Sequence, residues 1–99
     1  MSSNLKKLPR ECYHVMEVSC EIVKLVRGMQ GYYPTYIPAE SKEQAQMMVD
    51  ERNKELGVTK AQAEAMFVGS LFGWNVPGAD PDNYDENGTP KKRSRKIKY

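Results

Sequence analysis

The chain has 99 residues, 39% of them hydrophobic, with a mean hydropathy of −0.72. That is enough for one small domain with one modest core, and too little for a multidomain assembly. The formal charge of +2 is a sum of blocks: residues 1–78 carry nine Lys/Arg and nine Asp/Glu, residues 79–90 carry four acids, and residues 91–99 carry six cations.

The N-terminal stretch MSSNLKKLPRE lacks an apolar core of the kind a secretory signal needs. The longest apolar stretch, AMFVGSLFGW, is too short to span a bilayer. Two cysteines, Cys12 and Cys20, do not make a disulfide framework. A cytoplasmic protein with no membrane partner is the expectation.

CYHVMEVSCEIVKLVRG is rich in β-branched and aromatic residues, which favour strands. It predicts a hairpin of Glu11–Val18 and Glu21–Arg27 turning at Ser19–Cys20. In that register Cys12 faces Arg27, His14 faces Leu25 and Met16 faces Val23 on one side. Tyr13, Val15 and Glu17 face Val26, Lys24 and Ile22 on the other. GMQG supplies a second turn, and Tyr32–Ile37 follows as a third strand. Pro34 cannot donate to a ladder, so this strand belongs at an edge.

The period then changes. Ser41 with Gln44 is a capping-box signature, and Ala45, Met48, Val49 and Leu56 fall on one helical stripe. Gly57 is the expected stop. Thr59 with Gln62 repeats the signature, with Val58 placed to staple onto Ala63. The second helix runs to about Phe72, with Ala63, Met66, Phe67 and Leu71 as its stripe, and Gly73 ends it. Gly69 and Gly73, four apart, allow close approach of another backbone. From Asn75 onward Pro, Gly, Asn and Asp dominate as turn punctuation, pinned by Trp74, Val76 and Tyr84. The expected organisation is one α+β domain over 1–78, an acidic turn-rich connector over 79–90 and a disordered basic tail over 91–99. The fold is a three-stranded antiparallel meander packed against a two-helix hairpin, because strands followed by helices argue against parallel βαβ units.

Little of this suggests catalysis. His14 is the single histidine, and no carboxylate is evident to orient it. Cys12 and His14 alternate onto one strand face, but a third and fourth metal ligand are missing. An EF-hand beginning at Asp80 fails: position five is Tyr84, six is Asp85 and twelve is Lys91. Neither GMQG nor GSLFG is a phosphate loop. No enzyme, cofactor or metal is expected.

Two binding readings remain. Leu56–Thr59 fits the tight turn of a helix-turn-helix unit, with Lys60 and Gln62 offered to a DNA groove. Glu64 and the apolar Phe67, Val68 and Phe72 weaken that fit, and Asn53 replaces the small residue expected four before the turn glycine. The tail cations Lys91, Lys92, Arg93, Arg95, Lys96 and Lys98 add sequence-independent phosphate contact. Alternatively, Tyr32, Tyr33 and Tyr36 on an edge strand, with Trp74, form a partner-binding surface, including one that adds a strand.

The stretch LGVTKAQAEAMFVGSLFGWNVPGADPDNYDENG, with YHVMEV, EIVKLVRG and GYYPT before it, resembles small proteins of conjugative elements and phages of gut Gram-positive bacteria. The resemblance supplies no active site. It implies an accessory protein of a mobile element, with nucleic acid or another element-encoded protein as partner. The leading expectation is a non-enzymatic module that engages a protein through the tyrosine edge or the apolar second helix; the alternative is a DNA binder using residues 55–72 and the tail.

Overall fold

A computed structural model describes residues 4–91. The predicted tail from Lys92 onward, with its cations Lys92, Arg93, Arg95, Lys96 and Lys98, lies outside the described residues.

The expected α+β fold forms. Strands β1 (Glu11–Val15), β2 (Ile22–Val26) and β3 (Tyr33–Pro34) make an antiparallel sheet in the order β1-β2-β3. Helices α1 (Lys42–Glu55) and α2 (Lys60–Phe72) follow. Short 3-10 turns stand at Asn4–Lys7, Pro77–Ala79 and Pro81–Asn83.

The helices divide between the two faces of the sheet. Successive strand residues point to opposite faces. Cys12, Val23 and Leu25 pack with Met66 and Ala65 of α2. Val15 and Ile22 pack with Ala45 and Val49 of α1. The chain passes from one face to the other through a turn of four residues, Leu56–Thr59. Gly57 adopts φ +77 there, which glycine accepts without a Cβ clash. Its N–H donates to Lys54 O at 3.0 Å, and Val58 N–H donates to Asn53 O at 2.8 Å. These are the two closing bonds of a Schellman C-cap.

Both helix starts use the expected caps. Ser41 Oγ accepts from Gln44 N–H at 3.1 Å. Thr59 and Gln62 form a complete capping box, with bonds of 3.1 and 2.9 Å. At α1 the return bond reaches one residue further, from Glu40 N–H to Gln44 Oε1.

The hairpin register differs from the expected one by two residues. Cys12 pairs with Leu25, not Arg27; His14 pairs with Val23, and Val15 with Ile22. The strands are shorter because the connection is longer. Met16 N–H donates to Glu21 O at 2.9 Å and closes a loop of Glu17–Cys20. Cys20 takes φ +62 there, a conformation that a side chain disfavours. A slip of two preserves the parity of the strand, so every side chain keeps its expected face. No bridge joins the cysteines: both thiols are free. Burial, helped by the nearby Glu11 charge, pushes the Cys12 thiol up to about 12, which leaves it inert.

The helical stripes also rotate slightly. Leu56 and Leu71, expected in the core, are exposed, while Asn53, Gly69 and Ser70 are buried. At α2, Trp74 buries Gly69: its ring lies against that residue, where an added Cβ would sit well inside van der Waals contact. Leu71, two residues on, projects from the opposite side of the helix. Residues 79–90 also pack onto the body. Ala79 is fully buried, and Tyr84 joins the α2 cluster while its hydroxyl donates to Gly78 O at 2.6 Å.

Gly69→Ala should therefore force the Trp74 ring off α2. We expect a loss of about 1–3 kcal/mol, as for overpacked cores, together with a shift in tryptophan emission during urea titration.

Candidate functional site

Two surface regions carry functional potential: a groove along β1, and an apolar end of α2.

The groove arises from the way α1 and α2 straddle the edge strand. Its floor is Tyr13 and His14, its walls are Asn53 and Lys54 of α1 and Lys60 and Glu64 of α2, and its rim is Glu86–Gly88. Its volume is about 770 Å³. The rim is set by Asp85, whose Oδ1 accepts from Asn87 N–H at 2.8 Å and from Thr89 N–H at 3.0 Å. That Asx-type turn places Gly88 against the Lys60 backbone, where a Cβ would meet Lys60 O at 3.1 Å.

Inside the groove the Asn53 carboxamide is engaged. Asn53 Oδ1 accepts from Tyr13 N–H at 2.8 Å, and its Nδ2 donates to Tyr13 O at 3.0 Å. The His14 ring stacks on Phe67 with centroids 3.9 Å apart and planes 17° from parallel. Burial against that ring lowers the His14 pKa to about 4, despite the opposing pull of Glu17. Burial also raises the Glu64 carboxyl above its ordinary value. His14 is therefore neutral and packed at pH 7, with neither a carboxylate orienter nor a nucleophile in hydrogen-bond contact. Among the described residues no group of three His, Cys, Asp or Glu is placed to hold a metal ion.

The acidic segment has an internal answer. Lys7 Nζ sits 3.2 Å from Asp80 Oδ2 and 2.8 Å from Asp82 Oδ2. Its hydrogen bonds and charge lower the Asp82 carboxyl and in turn raise Lys7. The carbonyl of Lys7 accepts from Gln62 Nε2 at 3.0 Å. One lysine thus ties the N-terminal segment to both α2 and the acidic turns.

That contact bears on the helix-turn-helix residues. Lys60 is exposed, but Gln62 has its amide engaged on both sides, by Thr59 N–H and Lys7 O. No residue from Ala61 to Ser70 is exposed. A recognition helix needs several polar side chains projecting from one open face, and α2 offers only Lys60 before the apolar Leu71 and Phe72. Lys91 is exposed, and its N–H donates to Asn83 O at 2.9 Å.

The three candidate tyrosines are all on the surface. Tyr32 and Tyr33 are exposed, and Tyr36 is 86% exposed with φ +59. Trp74, by contrast, is packed against the α2 cluster. The end of the second helix stands beside them, linked by bonds the sequence does not announce. Gly31 N–H and Gln30 Nε2 both donate to Ser70 O, at 2.9 and 3.2 Å. These bonds dock the Gly28–Gly31 turn on the end of α2 and bring the exposed Met29, Tyr32 and Tyr33 toward the exposed Leu71 and Phe72. The signal lay in Leu71–Phe72 continuing the apolar run past the point where Trp74 covers the helix.

No family model matches the chain, and no curated protein or solved structure matches it.

A depressed histidine pKa has a definite sign. The unfolded chain binds a proton at His14 near pH 6.5, whereas the folded chain binds it only near 4. Stability from neutral His14 is complete above about pH 6.5 and falls as pH drops toward 4, at no more than about 1.4 kcal/mol per pH unit. Urea midpoints of wild type and His14→Phe should diverge across that window, with the wild type losing more, while carboxylate effects cancel in the difference.

Proposed function

We propose that the chain is a non-enzymatic binding module that takes a protein partner on the apolar end of α2. One observation carries the reading. Met29, Tyr32, Tyr33, Leu71 and Phe72 are all exposed, Phe72 to 70%, and the Ser70 hydrogen bonds draw them to one end of the molecule. Large apolar side chains left exposed near one helix end are a feature of surfaces that take partners. Aromatic residues and Met are also enriched in the buried centres of protein interfaces. The helix is anchored beneath them by Met66 and by Trp74 on Gly69, so the surface is presented on a rigid element. Association would not require ordering it first, which lowers the entropic cost of binding.

The resemblance to accessory proteins of mobile elements is in keeping with a partner encoded beside this chain. DNA contact finds less support. Of the candidate contacts, Lys60 stands on a helix with no open polar face and Lys91 lies beyond it, and the candidate cations from Lys92 onward lie outside the described residues.

The test uses Leu71→Asp/Phe72→Asp. Both positions are exposed, so circular dichroism and the thermal midpoint should stay close to wild type. Affinity purification of tagged wild type from native cells should yield a stoichiometric protein partner that the double variant loses by at least tenfold. Equal recovery with both chains would overturn the assignment of this surface.

A further inference from the structure

Of the five asparagines in the sequence, Asn87 alone is followed by glycine. That pair carries chemistry of its own. A backbone nitrogen can attack the side-chain carbonyl of the residue before it and close a five-membered imide. Glycine, with no Cβ, leaves that approach open. The other four asparagines precede Leu, Lys, Val and Tyr, residues whose side chains crowd it.

The fold places this pair at the rim of the groove. Asn87 is exposed, so water reaches its carboxamide. The Gly88 nitrogen is engaged: its N–H donates to Asp85 O at 2.9 Å. Asp85 secures the turn from both sides. Its Oδ1 accepts from Asn87 N–H and Thr89 N–H, and its own N–H donates to Thr89 O at 2.9 Å. Gly88, at φ +81, lies against Lys60. To attack Asn87, the Gly88 nitrogen must leave Asp85 O, lose its proton and swing toward the neighbouring side chain. While the turn is closed, the two reacting atoms are kept apart.

We infer that Asn87 is a self-modification site guarded by Asp85, converted to isoaspartate or aspartate when the turn opens. The step balances with water as the one co-reactant. Gly88 N bonds to Asn87 Cγ, the Cγ–Nδ2 bond breaks, and ammonia departs with the proton of the Gly88 amide. Water then opens the imide. Hydrolysis at Cγ gives aspartate. Hydrolysis at the α-carbonyl gives isoaspartate, whose main chain runs through Cβ and Cγ and is one carbon longer. Both products add a carboxylate beside Asp85 and Glu86. The longer chain no longer fits the bond from Gly88 to Asp85, and Gly88 leaves Lys60. The change runs one way, so the rim records the age of the chain. This chemistry is separate from the apolar end of α2 and needs no partner protein.

The test holds the full-length protein in mildly alkaline buffer and maps its peptides by mass spectrometry over time, with enzymatic methylation to detect isoaspartate. Modification should accumulate at Asn87 and spare the other four asparagines. In concentrated urea, where the turn is lost, the reaction should run roughly tenfold faster or more. Asp85→Ala, checked by circular dichroism, should be folded and also react roughly tenfold faster, because two accepting bonds are gone. The isolated isoaspartate form should show a shifted Lys60 amide signal by NMR. The inference is overturned if folded wild type reacts as fast as the urea-unfolded chain, or if a folded Asp85→Ala reacts no faster than wild type. Modification spread evenly over all five asparagines, or an unmoved Lys60 signal in the product, also overturns it. If Asp85→Ala does not fold, hydrogen exchange of the Gly88 amide in wild type decides. Protection well beyond that of the Val18 and Ser19 amides supports the guard, and exchange as fast as theirs overturns it.

Discussion

The arrangement of this protein depends on one buried carboxamide. Asn53 is among the few polar side chains removed from water, and it is only 7% exposed. Buried polar groups are tolerable when they are bonded, and Asn53 bonds three elements at once. Its side chain holds the backbone of β1, its carbonyl receives the N–H of Val58, and its backbone lies in the last turn of α1. Aspartate lacks the donor and leucine lacks both groups, so neither joins α1 to the strand edge. Because the helix is fixed there, the four-residue turn after it carries the chain around the edge, and α2 must begin on the opposite face.

Several features follow from that division. Each face of the sheet receives one helix, and each helix needs only one narrow apolar stripe. The small residues Ala45 and Ala65 let the helices sit close to the sheet, and Gly69 makes room for Trp74. Trp74 and Tyr84 then cover the outer flank of α2 and leave the Lys7–Asp80–Asp82 cluster to tie down the termini of the described region. That cluster is exposed, so its contribution is geometric more than energetic. What remains uncovered is the end of α2, where the Gly28–Gly31 turn and the helix terminus bring aromatic and aliphatic side chains to the surface. Packing and binding potential are thus separated along a single helix: Ala61–Ser70 is embedded, and Leu71 and Phe72 are offered outward.

The helices were legible in the sequence, because their limits are set by local chemistry. Ser41, Gly57, Thr59 and Gly73 are caps whose action needs nothing beyond neighbouring residues. The strand faces were legible too, since alternation in CYHV and EIVKLV survives a register slip of two. The register itself was not. It depends on a loop that widens to Glu17–Cys20, with Cys20 in a conformation that no residue-type rule favours. Leu71 was misplaced because the buried side of α2 runs through Ala65, Met66, Gly69 and Ser70, and Leu71 projects away from it. Asn53 is the sharpest case. Read as a helix residue it is merely a poor fit to a DNA-binding turn. Its role appears only when β1, forty residues earlier, is brought against it. Long-range polar contacts leave no periodicity, so pattern reasoning passes over them, as it also passed over Lys7.

The most direct test of the Asn53 account is amide hydrogen exchange of the unmodified protein, read at Tyr13 by NMR. An outward-facing amide at the centre of an edge strand ordinarily exchanges through small local openings. If the carboxamide of Asn53 holds that edge to α1, the Tyr13 amide exchanges only with global unfolding, as slowly as Cys12 and Val23 in the core. If Tyr13 exchanges as fast as the loop amides of Val18 and Ser19, the bond is transient and Asn53 does not hold the fold together.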